Sequence, residues 1–213
     1  MRSAQAVEVT SLDATETSRA GAMLGRAFRD DPMWVDLMPD PDRRPEMLAT
    51  MFSALVRTTC AANGVAERTP DVKGVALWLA PGGDMGLWAM LRSGLALPRA
   101  TMRLPGKDRK RMLGVLRQVG DRRKVLVPRP HWYLSAIGVD PESQGEGVGS
   151  ALMRHGMARA DGGRHPIYLE TDTERNVRFY RNLGFEVLEE FTPGGLSVPL
   201  WLMTREVGSP STS

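Results

Sequence analysis

Apolar residues recur at helical spacing over much of this chain, interrupted by short runs that read as strands. Val7 to Thr10 alternate and predict an edge strand. Asp13 is suited to cap a helix running to about Arg29, with Ala20, Met23, Leu24 and Ala27 on one face; Asp30-Asp31-Pro32 stops it. A short helical piece is expected around Met33 to Met38. Met47, Leu48, Met51, Leu55 and Val56 predict a helix over Pro45 to Ala62. Asn63-Gly64 then opens a hairpin of Val65–Arg68 and Gly74–Leu79, with its turn at Thr69 to Lys73.

Residues 84 to 127 read as helical, in two pieces broken near Pro98 and Leu104-Pro-Gly106. After Pro128 and Pro130 come a strand from His131 to Val139, a glycine-rich turn, and a helix from about Gly147 to Ala160 closed by Gly162-Gly163. A strand over Pro166 to Thr171 and a helix over about Glu174 to Leu183 follow, with Gly184 as the C′ residue. Strands Phe185–Phe191 and Leu196–Thr204 finish the chain around Pro193-Gly-Gly195. The order β–α–β–α–β–β calls for an α/β domain whose mixed sheet carries helices on its faces.

Composition narrows this to one domain over 1 to 207. The 213 residues are 42% hydrophobic and 25% charged, enough to bury a real core. The tail 208 to 213 is small and polar and is expected to fray. Cys60 is the single cysteine, so no internal disulfide can form and a reducing compartment is expected; its thiol reads as a buried apolar group. The N-terminus, with Arg2, Glu8, Asp13 and Glu16, lacks an apolar signal core, and no stretch approaches a membrane span. A soluble, cytoplasmic protein is expected. The net charge of +3 is too small to argue for nucleic acid. The basic run Lys107, Arg109, Lys110, Arg111, Arg117, Arg122, Arg123 and Lys124 reads first as a solvated helix face and second as a surface for an acidic partner. His131, His155 and His165 show no metal-ligand spacing, so no metal is expected.

Candidate chemistry starts at the turn Gln144-Gly-Glu-Gly-Val-Gly-Ser150. Glycines between a strand and a helix let backbone amides close on an anion at a helix N-terminus, so Gln144, Gly145, Glu146, Gly147, Val148, Gly149 and Ser150 read as a pyrophosphate cradle. The turn supplies no lysine, and the side chain of Glu146 has to point away from the phosphates. Asn176 and Tyr180 lie four apart and share a helix face.

The wording from His131 to Glu206, with Ile137-Gly138-Val139-Asp-Pro, the glycine turn, Leu-Glu-Thr and Asn176-x-x-Phe-Tyr180-x-x-Leu-Gly-Phe, resembles the GNAT superfamily of acetyl-CoA-dependent N-acetyltransferases. Within it the wording is similar to puromycin N-acetyltransferase and its relatives in high-GC actinobacteria. The N-terminal half agrees only loosely, so the acceptor is not carried over. The resemblance implies a mixed, mostly antiparallel twisted sheet with a splayed central strand pair. Pantetheine would pair with the backbone of Ile137 and Val139, and Asn176 would bond the pantetheine or the chain holding it. Tyr180 would protonate the departing sulfur. It also implies direct transfer from acetyl-CoA to an amine.

The amine needs a base, for which Glu170, His131, Asp30 and Asp31 are candidates; Glu170 alternatively orients the acceptor or caps the next helix. His131, Tyr133 and Ser135 share a strand face by alternation and, with Asp31, are candidate acceptor contacts. A small-molecule amine is the expected acceptor, with a protein N-terminus or lysine second and a non-catalytic acyl-CoA sensor third. Trp88, Leu91 and Leu95 would cover the acceptor site or build a homodimer contact.

Overall fold

The computed structural model describes residues 7–209, so the chain start around Arg2 and most of the expected tail lie outside the described residues. A seven-stranded sheet has the order β1-β2-β3-β4-β5-β7-β6. The strands are β1 (Thr10–Ser11), β2 (Val65–Arg68), β3 (Gly74–Leu79), β4 (Trp132–Val139), β5 (Ile167–Thr171), β6 (Glu186–Phe191) and β7 (Leu200–Arg205). Only β4 and β5 pair in parallel; every other neighbouring pair is antiparallel. The helices are α1 (Thr17–Ala27), α2 (Pro32–Leu37), α3 (Arg44–Ala61), α4 (Leu87–Arg92), α5 (Ala96–Met102), α6 (Gly106–Leu126), α7 (Val148–Gly162) and α8 (Glu174–Asn182).

Strand alternation sorts the core onto two faces. Val75 and Leu77 of β3 pack toward α1 and α3, whereas Ala76 and Trp78 pack toward α7. On β5, Ile167 and Leu169 join the α7–α8 side and Tyr168 the side under α6. Gly138 of β4 is where α1 crosses the sheet. A Cβ there would stand 2.7 Å from Leu24 Cδ2 and 3.1 Å from Ala27 Cβ, so glycine lets the helix come down onto the strand.

Several expectations are corrected. The edge strand is shorter and later than Val7–Thr10, and Asp13 caps a 3-10 turn (Ala14–Glu16) that leads into α1, with Glu16 completing a capping box. Between 84 and 126 there are three helices. Pro98 sits inside the first turn of α5, where its missing amide costs nothing. The break comes earlier, at Gly94 and Leu95, both with positive φ. Gly162 is the last residue of α7, and Arg164, not a glycine, takes the left-handed conformation after it (φ 56°). His165 N–H then donates to Ala160 O at 3.0 Å, closing the end. β7 begins at Leu200, so 192–199 form a loop. Cys60 is exposed, because it falls on the outer side of α3.

α6 is less solvated than its charge suggested. Arg111 donates to Asp36 Oδ1 at 2.9 Å and to Gly195 O at 2.7 Å. Gln118 receives the amide of Gly194 and donates to its carbonyl. Arg122 pairs with Glu189, and Arg123 lies over the Tyr133 ring at 4.1 Å. These contacts tie α6 to α2, to β4 and to the β6–β7 region. Among the described residues no helix is long and apolar enough to cross a membrane.

Candidate active site

The site is built around a defect in β4. Leu77 pairs with Ala136 and Trp78 with Leu134, which leaves Ser135 as an extra residue. Its hydroxyl donates to Leu77 O at 3.1 Å. The bulge reverses the facing of the strand: Trp132 and Leu134 precede it on the α7–α8 side, and Ile137 and Val139 follow it on that same side. His131 and Tyr133 precede the bulge and share a face, their rings meeting Tyr168 at 5.8 and 5.9 Å, while the Ser135 hydroxyl turns back to β3. β4 and β5 pair only at Trp132↔Ile167 and Tyr133↔Tyr168. Beyond these residues the two strands separate, leaving the backbone of Ile137 and Val139 without a partner on β5.

Beyond the opening lies the glycine turn. Gly145 (φ 86°) and Gly147 (φ 82°) are left-handed, and a Cβ at either would meet nothing within 4 Å. The first α-helical bond of α7 is Ala151 N–H to Gly147 O at 3.0 Å, so the amides of Val148, Gly149 and Ser150 open the helix without carbonyls of their own. Glu146 is exposed. The turn is held from behind. Asp140 accepts the Glu142 amide and pairs with Arg26 of α1; burial opposes, yet these partners keep its carboxyl below the usual range. Open space, free amides and a helix N-terminus fit a pyrophosphate, and the separated strands fit an extended arm leading inward.

The inner end of the opening meets a cavity of about 310 Å³. Tyr133 and Ile137 of β4, Glu170 of β5, Asp172 after it, Asn176 and Tyr180 of α8, and Asp31 before α2 border it. Its other walls are largely apolar: Phe28, Trp34 and Phe52, with Met112, Val115, Leu116 and Val119 of α6. Phe28 stacks on Phe52 at 4.8 Å, and Trp34 meets the same ring edge-on at 5.7 Å.

Three groups are perturbed there. Tyr180 is buried, its hydroxyl makes no hydrogen bond among the described residues, and burial followed by the Asp172 charge raises its phenol above the usual value. Burial raises Glu170, against the opposing effects of Arg123 and of the Tyr133 and Tyr168 phenols. Glu170 Oε1 and Tyr168 Oη lack a well-formed hydrogen bond. Asp31 is pushed up to about 8 by burial and by the Asp172 carboxylate. Asp172 accepts the Met33 amide at 2.8 Å.

Most of the expected inner residues thus meet at one place. His131 does not. Its Nδ1 lies 2.8 Å from Arg129 O, and it borders a separate basic hollow with Arg123, Lys124 and Arg129. Tyr133 borders both spaces. Burial, then Arg123 and Arg129, lowers the His131 pKa despite its bond to Arg129 O. Asp30 is exposed and borders neither. Sequence reasoning passed over Asp172, which directly follows Leu-Glu-Thr, and Arg123, whose stacking on Tyr133 has no local signal.

Comparison with known proteins agrees with this architecture. Residues 107–187 match the family described as Acetyltransferase (GNAT) domain. An uncharacterized N-acetyltransferase of Schizosaccharomyces pombe is 30% identical over 204 residues, covering 92% of this chain and 81% of that protein. A structure described as histone acetyltransferase HPA2 and related acetyltransferase, from Corynebacterium glutamicum, superposes with a TM-score of 0.68 at 25% identity, covering 97% of this chain and 99% of that one. The structure of yncA from Salmonella typhimurium with its cofactor acetyl-CoA has the same fold, with a TM-score of 0.55 at 16% identity and 97% coverage of each chain. The chain therefore belongs to the GNAT acetyltransferase family, whose members use acetyl-CoA, and it is an acetyltransferase.

Proposed function

We propose that this enzyme acetylates the amine of a small molecule with an apolar body, by direct attack within the cavity between β4, β5 and α6. The observation that carries the reading is the joint exposure, on one apolar cavity, of the unbonded Tyr180 hydroxyl and buried carboxyls. An apolar pocket walled by Phe28, Trp34, Phe52 and α6 suits a compact acceptor better than a polypeptide segment. A protein N-terminus or lysine acceptor is the competing version, and a non-catalytic acyl-CoA sensor the third.

In this reading the amides from Gln144 to Ser150 hold the pyrophosphate of acetyl-CoA, with Ile137, Gly138 and Val139 along the arm and Asn176 beside it. Gly138 contributes through its backbone, since its Cα side is filled by α1. Bound acetyl-CoA supplies the thioester whose acyl carbon the amine attacks. Tyr180 keeps its proton until negative charge develops on sulfur and then donates it. A cleft carboxylate takes the amine's proton, with Glu170 the candidate given by its strand position. Tyr133 and Asp31 contact the acceptor; His131 contributes only to an acceptor reaching the neighbouring hollow.

Likeness to puromycin N-acetyltransferase extends the reading to an aminonucleoside-like antibiotic amine and a resistance role in the cytoplasm. A homodimer formed through exposed Leu87, Trp88 and Leu91 of α4 belongs to the same proposal and is checked by sedimentation. Transfer from acetyl-CoA is measured across a panel of small amines, puromycin and peptides. Turnover confined to small apolar amines supports the reading; preference for peptides, or coenzyme A binding with no turnover and no effect of Tyr180→Phe, defeats it.

A further inference from the structure

The cavity carries ionisable groups of one kind. Its charged residues are Asp31, Glu170 and Asp172, and its other titratable groups are the phenols of Tyr133 on β4 and Tyr180 on α8. No lysine, arginine or histidine is among the lining residues; Phe28 and helices α2, α3, α5 and α6 present apolar side chains there. Asp31 and Asp172 border the cavity together, and burial followed by the Asp172 charge pushes Asp31 up to about 8, so at pH 7 it keeps its proton. Each is anchored by backbone, Asp172 by the Met33 amide at 2.8 Å and Asp31 by the Trp34 amide at 3.4 Å. Asp172 is only 9% exposed. Beside them Tyr180, 6% exposed, leaves its hydroxyl unbonded at the cavity wall. Two carboxyls on one apolar wall, with no counter-cation among the lining residues, favour a cation arriving from outside.

We propose that Asp31 and Asp172 form one seat for the acceptor's ammonium group and take its proton, which makes the acceptor an aliphatic amine that enters as a cation on an apolar body. The inference rests on the transferase reading and replaces Glu170 as the proton acceptor. Glu170 interacts with Tyr133, Tyr168 and Arg123, whereas the Asp172 charge acts on Tyr180. The attacking nitrogen has to stand near Tyr180, so its base has to lie there too.

The protons balance. At pH 7 the free pair carries one proton, on Asp31, and the arriving ammonium displaces it to solvent. One N–H bond then breaks and an O–H bond forms on the pair, leaving the electron pair on nitrogen. After attack the nitrogen loses its second proton, which replaces the one Tyr180 gives to the departing sulfur, so Tyr180 is restored and the pair ends as it began, with one proton. An ordinary carboxylate would hold the proton of an alkyl amine at a disadvantage of about a millionfold, but Asp31, pushed up to about 8, faces only about a hundredfold.

The test is calorimetry of 2-phenylethylamine and neutral 2-phenylethanol, at pH 7 in two buffers of different ionisation enthalpy. The proteins are the wild type, Asp31→Asn, Asp172→Asn and Glu170→Gln, each checked for native circular dichroism. Asparagine can keep the backbone anchors. The wild type is expected to prefer the amine by about tenfold or more and to release about one proton on binding it. Both asparagine variants lose the preference and the proton release; Glu170→Gln keeps both. With acetyl-CoA present, the asparagine variants lose about a hundredfold in kcat/KM. Equal affinity for the alcohol, no affinity for the amine, or retention of the preference in Asp172→Asn overturns the seat. If the binding pattern holds but no amine is acetylated, the transferase reading fails and the seat stands. If amines are acetylated and only Glu170→Gln is impaired, the seat fails and the transferase reading stands.

Discussion

Asp172 accepts the Met33 amide at 2.8 Å across 139 positions of sequence, which locks the end of β5 to the first turn of α2. The same contact brings Asp172 against Asp31. Since Asp31 keeps its proton up to about 8 in the folded protein, folding binds a proton that the unfolded chain releases above about 3.9. Stability therefore falls as pH rises between those values. Asp172→Asn is expected to raise the thermal midpoint at pH 7 and flatten the pH dependence from 4 to 8, measured by calorimetric unfolding. A lowered midpoint at pH 7 contradicts the coupled pair.

Tyr180→Phe removes a buried hydroxyl that makes no hydrogen bond, so the fold loses nothing by it. The thermal midpoint should hold steady while kcat falls by about 10²- to 10³-fold. Steady-state kinetics beside a melting curve separates the two effects.

Gly147→Ala forces a Cβ onto a left-handed backbone at the entrance of α7, at a cost of roughly 1–2 kcal/mol. The space around the residue is open, so the penalty falls on loop geometry rather than on packing. Coenzyme A affinity is expected to drop about tenfold, with little change in acceptor KM. Unchanged affinity by titration calorimetry would place the anion elsewhere.

Arg111→Ala removes the strut between α6, Asp36 and Gly195. The pair is partly exposed, so the loss should be about 1–2 kcal/mol. Because α6 walls the cavity, acceptor KM should rise severalfold while coenzyme A binding is spared. Chemical denaturation and paired binding curves check both halves.

Asp161→Asn tests the charge pair behind the C-terminal strands. Arg205 is buried and meets both Asp161 oxygens, at 2.8 and 3.1 Å, holding that carboxyl below its ordinary value of 3.8. A group lowered in the folded state stabilises above the unfolded value and loses that contribution as pH falls through the folded one. The variant is expected to be about 2 kcal/mol less stable at pH 7, the gap narrowing below about pH 3.8. A gap independent of pH argues for a packing effect instead.

The glycine turn, the cap at Gly184 and the Asn176–Tyr180 helix face were legible because each depends on residues within a few positions of one another. The bulge at Ser135 was not. It is a mismatch of one residue between β3 and β4, set by partners about 58 positions away. His131 and Tyr133 precede it and keep one face, both rings meeting Tyr168. The inward turn of Arg111, Arg122 and Arg123 was equally hidden, since composition reports charge but not the carbonyls and rings it will meet.

By itself the order of apolar spacing and glycines determined a mixed sheet with helices on its faces and a glycine turn at the start of α7, because hydrogen bonding and backbone sterics act locally. The cavity was decided only by the tertiary structure. Its walls come from Phe28, α2, α3, α5, α6, β4, β5, α8 and the start of β7, and its acid pair joins residues 31 and 172. Burial and charge coupling depend on what lies nearby in space, and no local pattern encodes that distance.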